Sequence, residues 1–149
     1  MKIYLSGDHA GFELKEKIRS FLKKKRIEVH DFGPYSKNSK DDYPDFVVPM
    51  ARRVAKEKTP VGIICAGSGQ GEAIAANKIK GIRAIVYYGG NIKIIKLGRK
   101  HNNANVLSFG ARFVKEKEVL RAIKIFLNTM FEKGRHEKRI KKINTLGGK

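Results

Sequence analysis

The chain has 149 residues and carries 33 Lys+Arg against 14 Asp+Glu, a formal net charge of +19 with histidine neutral. One domain spanning 1–149 is expected at this length, enough to bury roughly 68–70% of the unfolded chain's surface without staples. A single cysteine excludes an internal disulfide and a multi-cysteine metal site, and the four histidines show no ligand spacing.

In chain order, the N-terminus MKIYLSGDHAG lacks a basic segment leading into a long apolar run, and no stretch approaches the ~20 apolar residues of a membrane span. A soluble, cytoplasmic protein without membrane partners is expected. KIYLSG (2–7) is a β-branched and aromatic run that ends at glycine and reads as a strand. Leu14, Ile18, Phe21 and Leu22 then follow at helical spacing. IEVHDFG (27–33) is a second strand, and the polar stretch SKNSKDDYPD (36–45) is a long loop whose Pro44 fits the start of the second helix. VGIICAG (61–67), IRAIVYYG (82–89) and NVLSFG (105–110) complete five strands. Val119, Ile123, Phe126, Leu127 and Met130 form another helical stripe. After a break at Gly134, GRHEKRIKKIN (134–144) reads as a basic helix, and 134–149 is expected to pack on a partner subunit. Alternation of strands and helices predicts a doubly wound, Rossmann-like α/β fold, a parallel sheet with helices on both faces and an extra C-terminal helix.

In such sheets ligands bind beyond the carboxyl ends of the strands. The loops there contain Asp8 and His9 in GDHAG, the turn AGSGQGE, and Arg112 in FGAR. Taken singly, Asp8 reads as a helix cap and Arg112 as a surface base. The turn is more specific, because Gly67, Gly69 and Gly71 let backbone approach a ligand, and their N–H groups with the next helix's N-terminus form an anion or oxyanion site. No Gly-Lys-Ser/Thr follows, and the glycines lack dinucleotide-binding spacing, so a small anion is favoured over a nucleotide. Arg135 and Arg139 share a helix face suited to bidentate phosphate binding. These residues together point to an enzyme or sensor for a small phosphorylated metabolite. The +19 charge supports nucleic acid as a rival partner, but the bases are dispersed and lack interleaved aromatic residues, which leaves that reading second.

Five segments, GDHAGFELK (7–15), DDYPD (41–45), GSGQGEAIAANKIKGIRA (67–84), HNNANVLSFGAR (101–112) and GRHEKR (134–139), resemble the ribose-5-phosphate isomerase B family over nearly the whole chain. That family also contains galactose-6-phosphate and allose-6-phosphate isomerases. The resemblance implies an aldose–ketose isomerase that opens a sugar phosphate ring and moves a proton between C1 and C2 through a cis-enediolate, without metal or cofactor. It implies that Asp8 and His101 handle hydroxyl and ring-opening protons, and that Ser68 with the Gly67, Gly69 and Gly71 amides stabilises the enediolate oxygen. Tyr43 and Asn102 would line the sugar, while His9, Arg112, Arg135 and Arg139 would hold the phosphate.

The family's base is either a cysteine immediately before the Gly-Ser/Thr-Gly turn or a glutamate four residues past the Ser/Thr. Here Ala66 precedes Gly67. Cys65 is one residue too early, and strand alternation turns its sulfur away from the cleft as a packing thiol. Glu72, four residues after Ser68 and on its face if the helix has begun, is therefore the expected base. His101 precedes the fifth strand, at the amino end of the sheet, whereas Asp8, Ser68 and Glu72 follow strands. A homodimer with shared active sites is expected, with a tetramer left open.

Overall fold

Short, largely apolar runs set five parallel strands in the computed structural model, which describes residues 1–146. Positions 147–149, the end of the expected C-terminal tail, lie outside the described residues. The strands are β1 (Lys2–Gly7), β2 (Glu28–Asp31), β3 (Val61–Ala66), β4 (Ala84–Tyr87) and β5 (Val106–Gly110), in the order β2-β1-β3-β5-β4. Side chains alternate across the sheet. Leu5, Ile63, Leu107 and Ile85 are cross-strand partners in one row.

One face carries Ile3, Leu5, Ile63, Cys65, Leu107 and Phe109. It is covered by α1 (Phe12–Lys24), α4 (Lys93–Asn102) and α5 (Glu116–Asn128) through Ile18, Leu22, Ile95, Ile123 and Phe126. The other face carries Tyr4, Ile64 and Val106 beneath α2 (Pro44–Ala55) and α3 (Gln70–Asn77). Proline opens α2, where its missing N–H has no helical acceptor to lose. The expected doubly wound arrangement is the observed one. The last helix, α6 (Arg135–Asn144), begins after Gly134 and lies against α4 of its own chain, burying His136 and Ile140 while Arg135 and Arg139 stay exposed.

The loops beyond β1 and β5 are fastened to the end of β3. The Asp8 N–H donates to the Cys65 carbonyl (3.1 Å), the Ala111 N–H to the Ala66 carbonyl (2.7 Å) and the Arg112 N–H to the Gly67 carbonyl (3.2 Å). Gly11 permits this closeness, since a Cβ there would overlap the Cys65 carbonyl. Gly11→Ala must push backbone against backbone. It is expected to cost about 1–3 kcal/mol, as overpacking does, and an unshifted urea midpoint would contradict that placement.

Candidate active site

The turn after β3 is built around Gly69, whose φ of +74° is unfavourable for any residue with a Cβ. The Ser108 hydroxyl donates to the Gly69 carbonyl at 2.8 Å and fixes the turn from the neighbouring strand. Gly69 is also the N-cap of α3, so the helix starts at Gln70. Ser68 thus precedes the helix, and helical i,i+4 spacing does not relate it to Glu72. Its exposed hydroxyl accepts the Gln70 N–H at 3.3 Å, whereas Glu72 is buried in the first helical turn. The first-turn N–H groups of α3 have no acceptor four residues back within the helix, which leaves partial positive charge beside Ser68.

Glu72 is only 5% exposed. Burial pushes its carboxyl above the usual range, its own backbone N–H pulls the other way, and the nearby Asp8 charge raises it further. Asp8 is itself buried, with Oδ1 accepting the Gly11 N–H at 2.8 Å. The capping reading of Asp8 is not met, because the N-cap of α1 is Gly11 without a side-chain cap; Asp8 Oδ1 instead fixes the turn leading into the helix, and Oδ2 makes no hydrogen bond among the described residues. Cys65 is fully buried in the apolar cluster on the α1 and α5 face, and burial pushes its thiol up. A thiol so placed is a poor source of thiolate.

Two further side chains lie on the turn. The Tyr43 hydroxyl covers Gly71, 2.7 Å from where a Cβ would stand, and the Arg112 guanidinium covers Gly67, with Cζ 3.3 Å from the corresponding point. His9 is held by an Nδ1···Oδ1 contact of 2.6 Å to Asp41, which draws the long loop before α2 over the β1 loop. Asp41 carries no local sequence signal beyond its place in DDYPD. Its Oδ2 is buried without a partner. Asp8, His9, Tyr43, Gly67, Ser68, Gly69, Gly71, Glu72 and Arg112 are thus gathered at one end of the sheet.

His101, Asn102, Arg135 and Arg139 are not with them. His101 closes α4 before β5, so the five-residue length of β5 separates it from Gly110 and the cleft, roughly 16 Å at ~3.3 Å per residue. Its ring stacks on that of His136, with centroids 4.3 Å apart and planes 9° apart. His136 is 4% exposed, its Nε2 lacks a partner, and it is held below the usual imidazole range by burial and then by the His101 and Arg135 charges. The pairing of His136 with Ile140 in an otherwise charged helix was the available sequence signal. Exposed Arg135 and Arg139 flank that buried stripe.

The sequence profile of the family described as ribose/galactose isomerase matches residues 3–143. The chain belongs to that family. The family's ribose-5-phosphate isomerase B of Mycobacterium tuberculosis is 38% identical over 141 residues, covering 94% of this chain and 86% of the relative. The crystal structure of ribose-5-phosphate isomerase B from Mycoplasma genitalium with bound ribulose-5-phosphate matches with a TM-score of 0.91 and 41% identity, over 96% of this chain and 93% of that one. The Thermotoga maritima ribose 5-phosphate isomerase also gives 0.91 and 41%, over 97% and 98% of the two chains. Among the described residues no helix is long and apolar enough to cross a membrane.

Because the folded state raises the Glu72 pKa, it favours the protonated carboxyl. The stability this group contributes is complete below its unfolded value and is lost as pH rises through the folded one. Glu72→Gln, which mimics the neutral acid, is expected to unfold at a higher temperature than the parent at pH 7, with the gain vanishing below about pH 4. Equal melting temperatures at pH 7 would contradict the burial of the carboxylate.

Proposed function

We propose that this chain interconverts ribose 5-phosphate and ribulose 5-phosphate. The observation that carries the reading is the buried Glu72 carboxyl beside Asp8, under a turn whose amides and hydroxyl face developing negative charge. Membership of the isomerase family supports it, as do the ribose-5-phosphate isomerase B relatives covered over most of their length.

The reaction needs a base, an oxyanion site and a phosphate grip. Glu72 takes the proton from C2 of the open-chain aldose and returns it to C1, and its raised affinity for protons suits both halves of that transfer. Ser68 and the amides of the Gly67–Gly71 turn stabilise the enediolate oxygen. Asp8, through the oxygen that Gly11 does not occupy, exchanges a hydroxyl proton, and His101 serves ring opening. Tyr43 and Asn102 bound the sugar, while His9, Arg112, Arg135 and Arg139 hold the phosphate.

Nine residues of this set lie at the cleft end of the sheet, and four, His101, Asn102, Arg135 and Arg139, do not. The active unit is therefore a homodimer in which His101, Asn102, Arg135 and Arg139 of one chain complete the cleft formed by Asp8, Ser68 and Glu72 of the other. The exposed face of α6 that carries both arginines is the surface available for that reach.

The test is an isomerase assay on ribose, allose and galactose phosphates with two variants. Turnover should be fastest on ribose 5-phosphate, at least ~10²-fold lower in Glu72→Gln and largely retained in Cys65→Ser. The parent's kcat/KM should fall on the acid side with a midpoint above 4.5, the ordinary glutamate value, because the base must be ionised. Loss of turnover in a folded Cys65→Ser protein would contradict the assignment of the base. Salt-dependent DNA affinity without isomerase activity would overturn the function.

A further inference from the structure

At the amino end of the sheet, opposite the Glu72 cleft, a cavity of about 630 Å³ lies between the end of α2, the start of β3 and the end of α5. Arg83, Arg99 and Lys58 line it. Arg83 donates from Nε to the Asn103 carbonyl (3.0 Å) and from Nη1 to the Gly81 carbonyl (3.1 Å). Arg99 donates from Nε to the Thr129 carbonyl (3.2 Å), and from Nη1 to Asn103 Oδ1 (3.4 Å) and to the Ala104 carbonyl. Both guanidinium groups therefore converge on Asn103, and every acceptor they have is neutral.

Neither arginine reaches a carboxylate among the described residues, and Nη2 of each makes no hydrogen bond. Glu57, the acidic side chain on the cavity wall, is already engaged by Arg53 (2.9 Å) and by the Tyr4 hydroxyl (2.9 Å). Burial lowers the proton affinity of both arginines, and the charge of Arg83 lowers that of Arg99 further. Two adjacent, half-buried cations of one sign are costly without a counterion, and their free Nη2 groups are the donors that oxyanions accept.

We propose that this cavity binds a small polyanion of the phosphate class, held by Arg83, Arg99 and Lys58 and separate from the catalytic cleft. The volume lies in the range of small-molecule sites, so the phosphate can belong to a metabolite rather than stand alone. Occupancy bears on Asn103, the left-handed residue (φ 45°) that ends α4 directly after His101 and Asn102. Any effect on turnover through those two residues rests on the shared-site reading above. Binding itself does not.

The probe is inorganic pyrophosphate, titrated calorimetrically into the full chain carrying Arg112→Ala, which weakens the catalytic phosphate grip. One pyrophosphate per chain should still bind. Adding Lys58→Glu should weaken it by about tenfold or more, adding Arg83→Gln should abolish it, and adding Lys117→Glu, at the other end of α5, should leave it unchanged. If Arg83→Gln fails to fold, Lys58→Glu decides, because that exposed side chain holds no other group in place. Absence of binding in the Arg112→Ala chain overturns the proposal. So does equal weakening by Lys58→Glu and Lys117→Glu, which would reduce the site to the general field of a +19 protein.

Discussion

The polarity of the parallel sheet governs the rest of the structure. Every strand runs the same way, so every loop that follows a strand emerges at one end and every loop that precedes one lies at the other. Backbone hydrogen bonds from Asp8, Ala111 and Arg112 to the end of β3 convert three of those loops into one rigid cradle. The same polarity carries His101 and Asn102 away from it. A single chain with this sheet therefore gathers Asp8, Ser68 and Glu72 at one end and leaves His101 and Asn102 at the other, and the shared-site proposal rests on that separation.

Electrostatics within the cradle follow from burial rather than from surface charge. Despite the basic excess, no ion pair to Glu72 or Asp8 occurs among the described residues, and burial, with the Asp8 charge nearby adding to it, favours the protonated Glu72 carboxyl. The wider basic field attracts phosphate-bearing molecules to the protein from solution, an effect that salt weakens. The Arg83 and Arg99 pair is a local feature of a different kind, because its charges are half-buried and both converge on Asn103.

Much of the fold was legible because glycine follows or ends each apolar run. β1 and β3 begin where their runs do, and β5 ends on Gly110. β2 and β4 are shorter than their runs, as edge strands with one ladder partner each can be. The insertion of β5 between β3 and β4 was not legible, since it depends on pairing between segments over forty residues apart. At the site, strand alternation correctly turned Cys65 into the core, whereas the helical relation of Ser68 to Glu72 was upset by Gly69, whose positive φ delays α3. The contacts of Asp41 with His9 and of His136 with His101 were not legible, because tertiary structure brings those partners together. The fold and the cradle were thus written in local pattern, and the partners of its histidines were not.

The most direct test of the central claim mixes two inactive chains, His101→Ala and Glu72→Gln, under conditions that allow subunits to exchange. Hybrid dimers hold one cleft with both groups intact, so turnover should recover toward a quarter of the parent value at equal mixing, half of the dimers being hybrid with one working site each. Verified hybrids that remain inactive would contradict the claim that one chain's strand-end loops are completed by the other's.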